Sequence, residues 1–185
     1  MRGVRWLAVL MLLLTAPLVA AGLASPSVEG LEVSREDGTW FVRVHWTAPW
    51  GEEPFSAVRE GVPLGFRIRV ALFRERSWWR DPRVAAMDYH RGIYFNRLTR
   101  QYRVRDRRNG ERFFTRSWSR ARERLEDTGP LPLLSATATA DSQTYYIGVR
   151  VEATQESLSL PARLITSVTS LWGGRSEWRY HPLAP

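Results

Sequence analysis

Hydrophobic and polar residues alternate along several stretches of this chain. The alternation is clearest in WFVRVHWT, residues 40–47, and in GFRIRVALF, residues 65–73. It recurs in QYRVR, residues 101–105, and in TYYIGVRVEAT, residues 144–154. A period of two over four to eight residues is typical of a strand with one buried face. The pattern therefore predicts four antiparallel strands whose other face is in water.

Weaker signals predict further strands elsewhere in the chain. Residues 81–88, DPRVAAMD, fit either a helix beginning at Pro82 or a strand followed by a loop. Six other stretches combine strand-forming residues with flanking turn residues. These stretches are residues 28–35, 92–95, 111–116, 133–139, 164–170 and 177–181.

Two stretches are typical of short helices. EEPFSAVREG, residues 52–61, has acidic residues at its start and a glycine at its end. SWSRARERLEDTGP, residues 117–130, places Trp118, Ala121 and Leu125 on one face and stops at a Gly–Pro pair. The elements together predict a mainly β fold, an antiparallel β-sandwich-like single domain with two short helices. An α+β arrangement is the alternative.

The amino terminus has the layout of a secretory signal. Arg2 and Arg5 precede an uncharged, mostly apolar run, residues 6–24, that ends in small residues. Pro17 and those small residues favour removal by a signal peptidase, whereas the length of the run also fits an uncleaved membrane anchor. A third interpretation, a buried helix of the folded domain, would need protein on every side of the run.

We therefore expect the chain to have two parts. Residues 1–24 form a signal peptide or an uncleaved N-terminal anchor, and residues 25–185 form a single β-rich exported domain. In either case the terminal arginines stay inside, so the domain is in the periplasm or faces it from the inner membrane. The chain contains no cysteine, which excludes disulfides, thiolate chemistry and a lipid-modified terminal cysteine.

Positive charge is concentrated in the middle of the chain. The net charge is +8, and every basic residue is an arginine. Residues 59–124 carry 19 arginines and seven acidic residues, whereas both flanks of the mature chain are slightly acidic. A GC-rich genome would explain why arginine replaces lysine, so the arginine content alone is weak support for an anionic partner. The clustering of the charge is more informative.

The sequence predicts no catalytic residue, no metal site and no cofactor. His45, His90 and His181 are scattered, and none has a second histidine at the spacing that metal sites use. The chain lacks the glycine-rich phosphate loops and the nucleophile motifs that mark common enzyme classes. We therefore predict a protein that is not an enzyme.

The alternating strands nominate a candidate binding surface. Arginines at alternate positions should project from the outward side of their strands. If those strands are neighbours, the arginines form a guanidinium patch that could hold phosphate or carboxylate groups. The alternative is an ordinary solvated sheet face, with acids such as Glu75 and Glu152 across the strands. With two adjacent tryptophans, the candidate surface comprises Arg67, Arg69, Trp78, Trp79, Arg103 and Arg105.

The two tryptophans allow several roles. Consecutive strand residues point to opposite faces, so only one of Trp78 and Trp79 can enter the core. The other would lie on the surface, against an arginine stem or at a membrane interface. The alternative is that the pair packs at the edge of the core.

Several segments together resemble one family. RSWWRD, LTRQYRV, AVREGVPL, YYIGVRVE, LSLPARL and SEWRYHPL follow one another as in the domain-of-unknown-function family numbered 4390, found in proteobacteria. The resemblance covers about residues 28–182 and implies a small exported or membrane-anchored protein with no assigned activity. It also implies an accessory role at the cell envelope, because members are often encoded beside a membrane sensor kinase and an RNA methyltransferase.

We therefore expect a non-enzymatic cell-envelope accessory protein that binds through a basic β-sheet face. Its partner would be an envelope protein such as a sensor kinase, or an anionic membrane or cell-wall surface. One alternative is an envelope enzyme acting on an anionic substrate. Another is a nucleic-acid-binding protein, which fits the arginine and aromatic content but conflicts with export. We expect no nucleic-acid partner.

Overall fold

The computed structural model describes residues 25–76, 80–133, 144–155 and 174–183, apart from the side chains of Glu53 and Gln155. Within these residues the chain forms nine strands and two helices. In chain order they are β1 (Ser27–Glu36), β2 (Thr39–Thr47), α1 (Glu52–Arg59), β3 (Leu64–Arg74), β4 (Arg83–Asn96), β5 (Gln101–Asp106), β6 (Arg112–Thr115), α2 (Trp118–Glu126), β7 (Leu131–Leu133), β8 (Tyr145–Gln155) and β9 (Arg179–Pro182).

The strands form two antiparallel sheets. One sheet has three strands in the order β1–β2–β7, and the other has six in the order β6–β5–β4–β3–β8–β9. Every neighbouring pair is antiparallel. The predicted mainly β, sandwich-like fold with two short helices is therefore confirmed.

The core lies between the two sheets and beneath α2. On β3, Phe66, Ile68 and Leu72 are completely buried, and they alternate with partly exposed arginines. The three-stranded sheet covers the end of the six-stranded sheet that contains β8 and β9, while α2 packs on β4, β5 and β6. One face of the larger sheet, here called the inner face, is thus covered, and the other is called the outer face.

Helix α2 is fixed to both sheets. Its amino terminus is capped by the Ser117 hydroxyl, which accepts a hydrogen bond from the Arg120 amide. Near its end, the Glu126 carboxylate accepts hydrogen bonds from the Ala48 amide at 3.0 Å and from the Trp50 indole at 2.7 Å. The bonds to Glu126 tie the end of the helix to the segment that follows β2.

The structure decides some of the weaker predictions. Residues 81 and 82 precede strand β4, and residues 83–88 form its first part. The alternative of a helix beginning at Pro82 is therefore wrong. β7 begins at Leu131, two residues earlier than predicted, and residues 134–139 lie outside the described part. The predicted strand 164–170 and the predicted signal segment 1–24 also lie outside it. Across the described residues, no helix is long and apolar enough to cross a membrane.

Candidate anion-binding surface

The four arginines predicted to face outward all lie on the outer face of the six-stranded sheet. Arg67 and Arg69 lie on β3, and Arg103 and Arg105 lie on β5, each alternating with buried residues. However, β4 runs between β3 and β5, so the strands are not neighbours. The expected single patch is therefore divided into two groups with different surroundings.

The first group is part of a set of ion pairs. Arg69 donates from Nε and Nη2 to the two carboxylate oxygens of Asp88 on β4, both at 2.7 Å. Arg67 donates to Glu152 on β8, with Nε 3.0 Å from Oε2, and Arg150 also pairs with Glu152. We call these five residues the ion-pair patch. The alternative in which Glu152 balances the arginines is confirmed here.

Both carboxylates of the ion-pair patch are held in the charged form. The hydrogen bonds from Arg69 lower the pKa of Asp88 below its ordinary value, although burial opposes this shift. Burial raises the pKa of Glu152, but the bond from Arg67 and the charge of Arg150 outweigh it, and the pKa is lowered overall. Two ionised acids thus balance most of the charge of three arginines.

The second group lacks such acids. Arg105 on β5 lies directly opposite Arg112 on β6, with both side chains on the outer face. Among the described residues, no carboxylate pairs with either arginine, and the Nε atom of Arg105 is buried without a hydrogen-bond partner. Like charges directly opposite in a sheet destabilise it. This pair therefore favours an anion from outside the described chain.

Aromatic rings flank this second group. The guanidinium of Arg103 lies over the ring of Tyr94, 5.2 Å from its centroid. Phe114 lies opposite Arg103 on β6, and 54% of it is exposed. We call Tyr94, Arg103, Arg105, Arg112 and Phe114 the basic patch.

The whole β5–β6 region is strongly cationic. Residues 97–116 contain eight arginines and two acids, a net charge of +6. Both acids are already engaged by cations outside this stretch. Asp106 lies 3.7 Å from the buried Arg91 on the inner face, and Glu111 pairs with Arg124 of α2. The internal acids therefore leave the basic patch unbalanced.

The predicted tryptophan pair lies outside the described residues, but its surroundings are described. Asp81 accepts hydrogen bonds from the Arg76 amide at 2.8 Å and from the Tyr146 hydroxyl at 2.7 Å, so it joins the two ends of the β3–β4 loop to β8. Burial, together with this bond to Asp81, raises the pKa of Tyr146 to about 12. The roles of Trp78 and Trp79 therefore stay predictions.

Aromatic side chains cover the outer face beside that loop. The ring of Phe73 stacks on Tyr146, with centroids 5.2 Å apart, and Trp178 stacks on Tyr180 at 6.2 Å. The rings close over Gly148 on β8, where an added Cβ would lie 2.8 Å from Phe73 and 2.9 Å from Tyr180. This aromatic patch was not predicted, because its members come from three separate stretches of sequence.

The basic patch carries groups that can interact with anions. The planar guanidinium groups of the basic patch can hold carboxylate or phosphate oxygens through paired hydrogen bonds. Within the described residues, no group of three histidine, aspartate or glutamate side chains is arranged to hold a metal ion.

The fold and the surface together define an antiparallel β-sandwich-like protein. The outer face of its larger sheet carries arginines in two separate groups. Residues 24–181 match the model of the family described as domain of unknown function DUF4390. The match covers most of the chain, so the protein belongs to this family, and the resemblance seen in its motifs is confirmed. No curated protein and no solved structure matches the chain.

Proposed function

We propose that this protein is a non-enzymatic accessory module of the cell envelope that binds an acidic partner protein through its basic patch. The observation that carries the proposal is the opposition of Arg105 and Arg112 without an acid beside them. A protein that keeps two like charges directly opposite each other gains from a ligand that neutralises them. The export signal read in residues 1–24 supports a periplasmic location, with or without an anchor.

The side chains around the arginine pair favour a protein as the partner. Phe114 lies opposite Arg103 and is largely exposed, which adds an apolar side chain to the basic patch. Arginine and aromatic residues are enriched at the centres of protein–protein interfaces. The exposed domain of a membrane sensor kinase is the partner that the family resemblance suggests. An anionic membrane and a nucleic acid remain as outcomes of the test.

The test measures binding of three defined probes to the exported domain, residues 25–185. They are a fluorescent peptide of alternating glutamate and threonine, vesicles containing phosphatidylglycerol, and a single-stranded oligonucleotide. We expect the peptide to bind more tightly than the other two probes, with an affinity that falls as salt rises. The double variant Arg105→Gln and Arg112→Gln should weaken peptide binding by about tenfold or more.

A variant with the same change in net charge controls for long-range electrostatics. Arg35 and Arg179 are exposed and lie outside the basic patch, so the double variant Arg35→Gln and Arg179→Gln should change the affinity less than about twofold. Equal losses in the two double variants would show that only net charge matters. Tight binding to vesicles or to the oligonucleotide, with none to the peptide, would mean that the ligand is a membrane or a nucleic acid and not an acidic protein.

A further inference from the structure

The four edge strands of the two sheets differ in how they are protected. An exposed edge invites pairing with another chain, and proteins commonly prevent this with proline or with a β-bulge. Here β7 contains Pro132, β9 contains Pro182, and β1 has an irregular register between Val28 and Gly30. Strand β6 has neither a proline nor a register shift. Among the described edge strands, β6 is the one with neither device.

The backbone of β6 presents hydrogen-bonding groups at this edge. The Asp106 amide donates to the Glu111 carbonyl at 3.0 Å, which fixes the phase of the β5–β6 ladder. Bonded and non-bonded pairs alternate in an antiparallel ladder, so Phe113 is bonded to β5 while its neighbours Arg112 and Phe114 are not. The N–H and C=O groups of Arg112 and Phe114 therefore point away from β5.

The side chains on these two residues determine what could pair there. Arg112 and Phe114 project from the outer face, beside Arg105 and Arg103 respectively. Side chains of an added strand alternate between the two faces, so every second residue would lie beside the basic patch. An added strand with acidic side chains at those positions would supply the missing negative charge. This arrangement would give hydrogen-bond partners to the backbone groups at the edge of β6 and negative charge to the arginine pair.

We propose that an extended acidic segment of the partner protein adds to β6 as a seventh strand of the larger sheet, with carboxylates at alternate positions beside Arg105 and Arg112. The inference rests on the proposed function and specifies how the partner segment binds. Main-chain hydrogen bonds to β6 supply affinity, and the spacing of the carboxylates supplies specificity.

The first experiment varies the probe and keeps the protein unchanged. The reference is the alternating glutamate–threonine peptide, about eight residues long. A peptide of the same composition with the glutamates in adjacent pairs keeps the charge but breaks the alternation, and we expect it to bind about tenfold more weakly. Equal affinity for the two peptides would contradict the alternating arrangement.

The second experiment blocks the peptide backbone. One peptide carries N-methyl groups on its glutamates and another carries them on its threonines. Only one of these two sets can face β6, so one peptide should lose binding by about tenfold or more while the other keeps it. The set whose methylation abolishes binding also shows whether the added strand runs parallel or antiparallel to β6. If both methylated peptides bind as the reference does, strand addition is wrong.

A pair of variants repeats this test on the protein. Phe114→Pro removes an amide that points to the edge, and Phe114→Ala removes the same ring but keeps the amide. Both variants lose the ring, so we expect both to bind the peptide more weakly than the wild-type protein, and Phe114→Pro to bind about tenfold more weakly than Phe114→Ala. If both variants bind equally and both methylated peptides bind, while the arginine double variant does not, the proposed function stands without strand addition. If the reference peptide fails to bind the wild-type protein, both proposals fail.

Discussion

The ion-pair patch and the basic patch occupy the same face of one sheet but differ in their balance of charge. Each contains two arginines that lie directly opposite each other, Arg69 with Arg150 in the first and Arg105 with Arg112 in the second. In the ion-pair patch, Asp88 and Glu152 lie beside the arginines. In the basic patch, the described chain supplies no such acid.

The residues across the strands explain the difference. Strand β4 presents Asp88 opposite Arg69, but it presents Gly92 opposite Arg105. Glycine has no side chain, so this position cannot hold a counter-charge. The comparison separates two uses of arginine in a sheet. Arginines balanced by acids join strands together, and an unbalanced pair is available to an external anion.

The largest expected effect is the loss of the acid shared by the ion-pair patch. Glu152 is 12% exposed and pairs with Arg67 and Arg150, so Glu152→Gln leaves two partly buried cations without a charged partner. We expect the free energy of unfolding in urea to fall by about 2–3 kcal/mol. Asp88→Asn, at a more exposed position, should cost about 1 kcal/mol.

The loss of Glu152 should affect stability but not peptide binding. Because strands β3 and β4 lie between Glu152 on β8 and strand β5, Glu152→Gln should leave the affinity for the acidic peptide within about twofold of the wild-type value. A large loss of peptide binding in a folded Glu152→Gln protein would show that the two patches act together.

The second effect concerns the aromatic patch beside the ion pairs. In Gly148→Ala the new methyl group would lie 2.8 Å from the Phe73 ring and 2.9 Å from the Tyr180 ring, so the rings must move. We expect a loss of about 2 kcal/mol in urea unfolding and a change in near-ultraviolet circular dichroism. At Gly30, whose nearest neighbour would be 3.8 Å away, the same substitution should cost less than about 0.5 kcal/mol.

The sequence was sufficient to predict which arginines point outward. Alternation in residues 65–73 and 101–105 assigned Arg67, Arg69, Arg103 and Arg105 correctly, because the period of a strand is a local property. Strand order is not local. Nothing in either stretch shows that β4 separates them, and the pairing of Arg67 with Glu152 joins residues 85 positions apart.

Arg112 was missed for a different reason. Residues 111–116 were predicted as a strand, but Phe113 and Phe114 are adjacent and both hydrophobic, so hydrophobicity does not show which one faces the core. The register with β5 decides it, because Phe113 packs against the core while Phe114 is exposed. Residues 134–143 and 156–173 include further predicted elements that lie outside the described part.

The third effect depends on pH. The folded pKa values of Asp88 and Glu152 lie below the ordinary values of 3.8 and 4.5, because arginines favour the charged forms. Their contribution to stability is therefore complete above the unfolded values and is lost as the pH falls through the lower, folded values. We expect the midpoint temperature of thermal unfolding to decrease when the pH is lowered below about 4. The fall should be smaller in Arg69→Gln; an identical profile would mean that Asp88 does not contribute.

The smallest expected effect has the opposite sign. Replacing Arg105 and Arg112 by glutamine removes a repulsion that no acid in the described chain relieves, so the double variant should be as stable as the wild-type protein or more stable by about 0.5 kcal/mol. Urea unfolding without any peptide measures this difference. A marked loss of stability would mean that the basic patch is structural, as the ion-pair patch is. Unchanged or higher stability combined with lost peptide binding is the result expected of a surface maintained for a partner, because residues kept for binding commonly reduce stability.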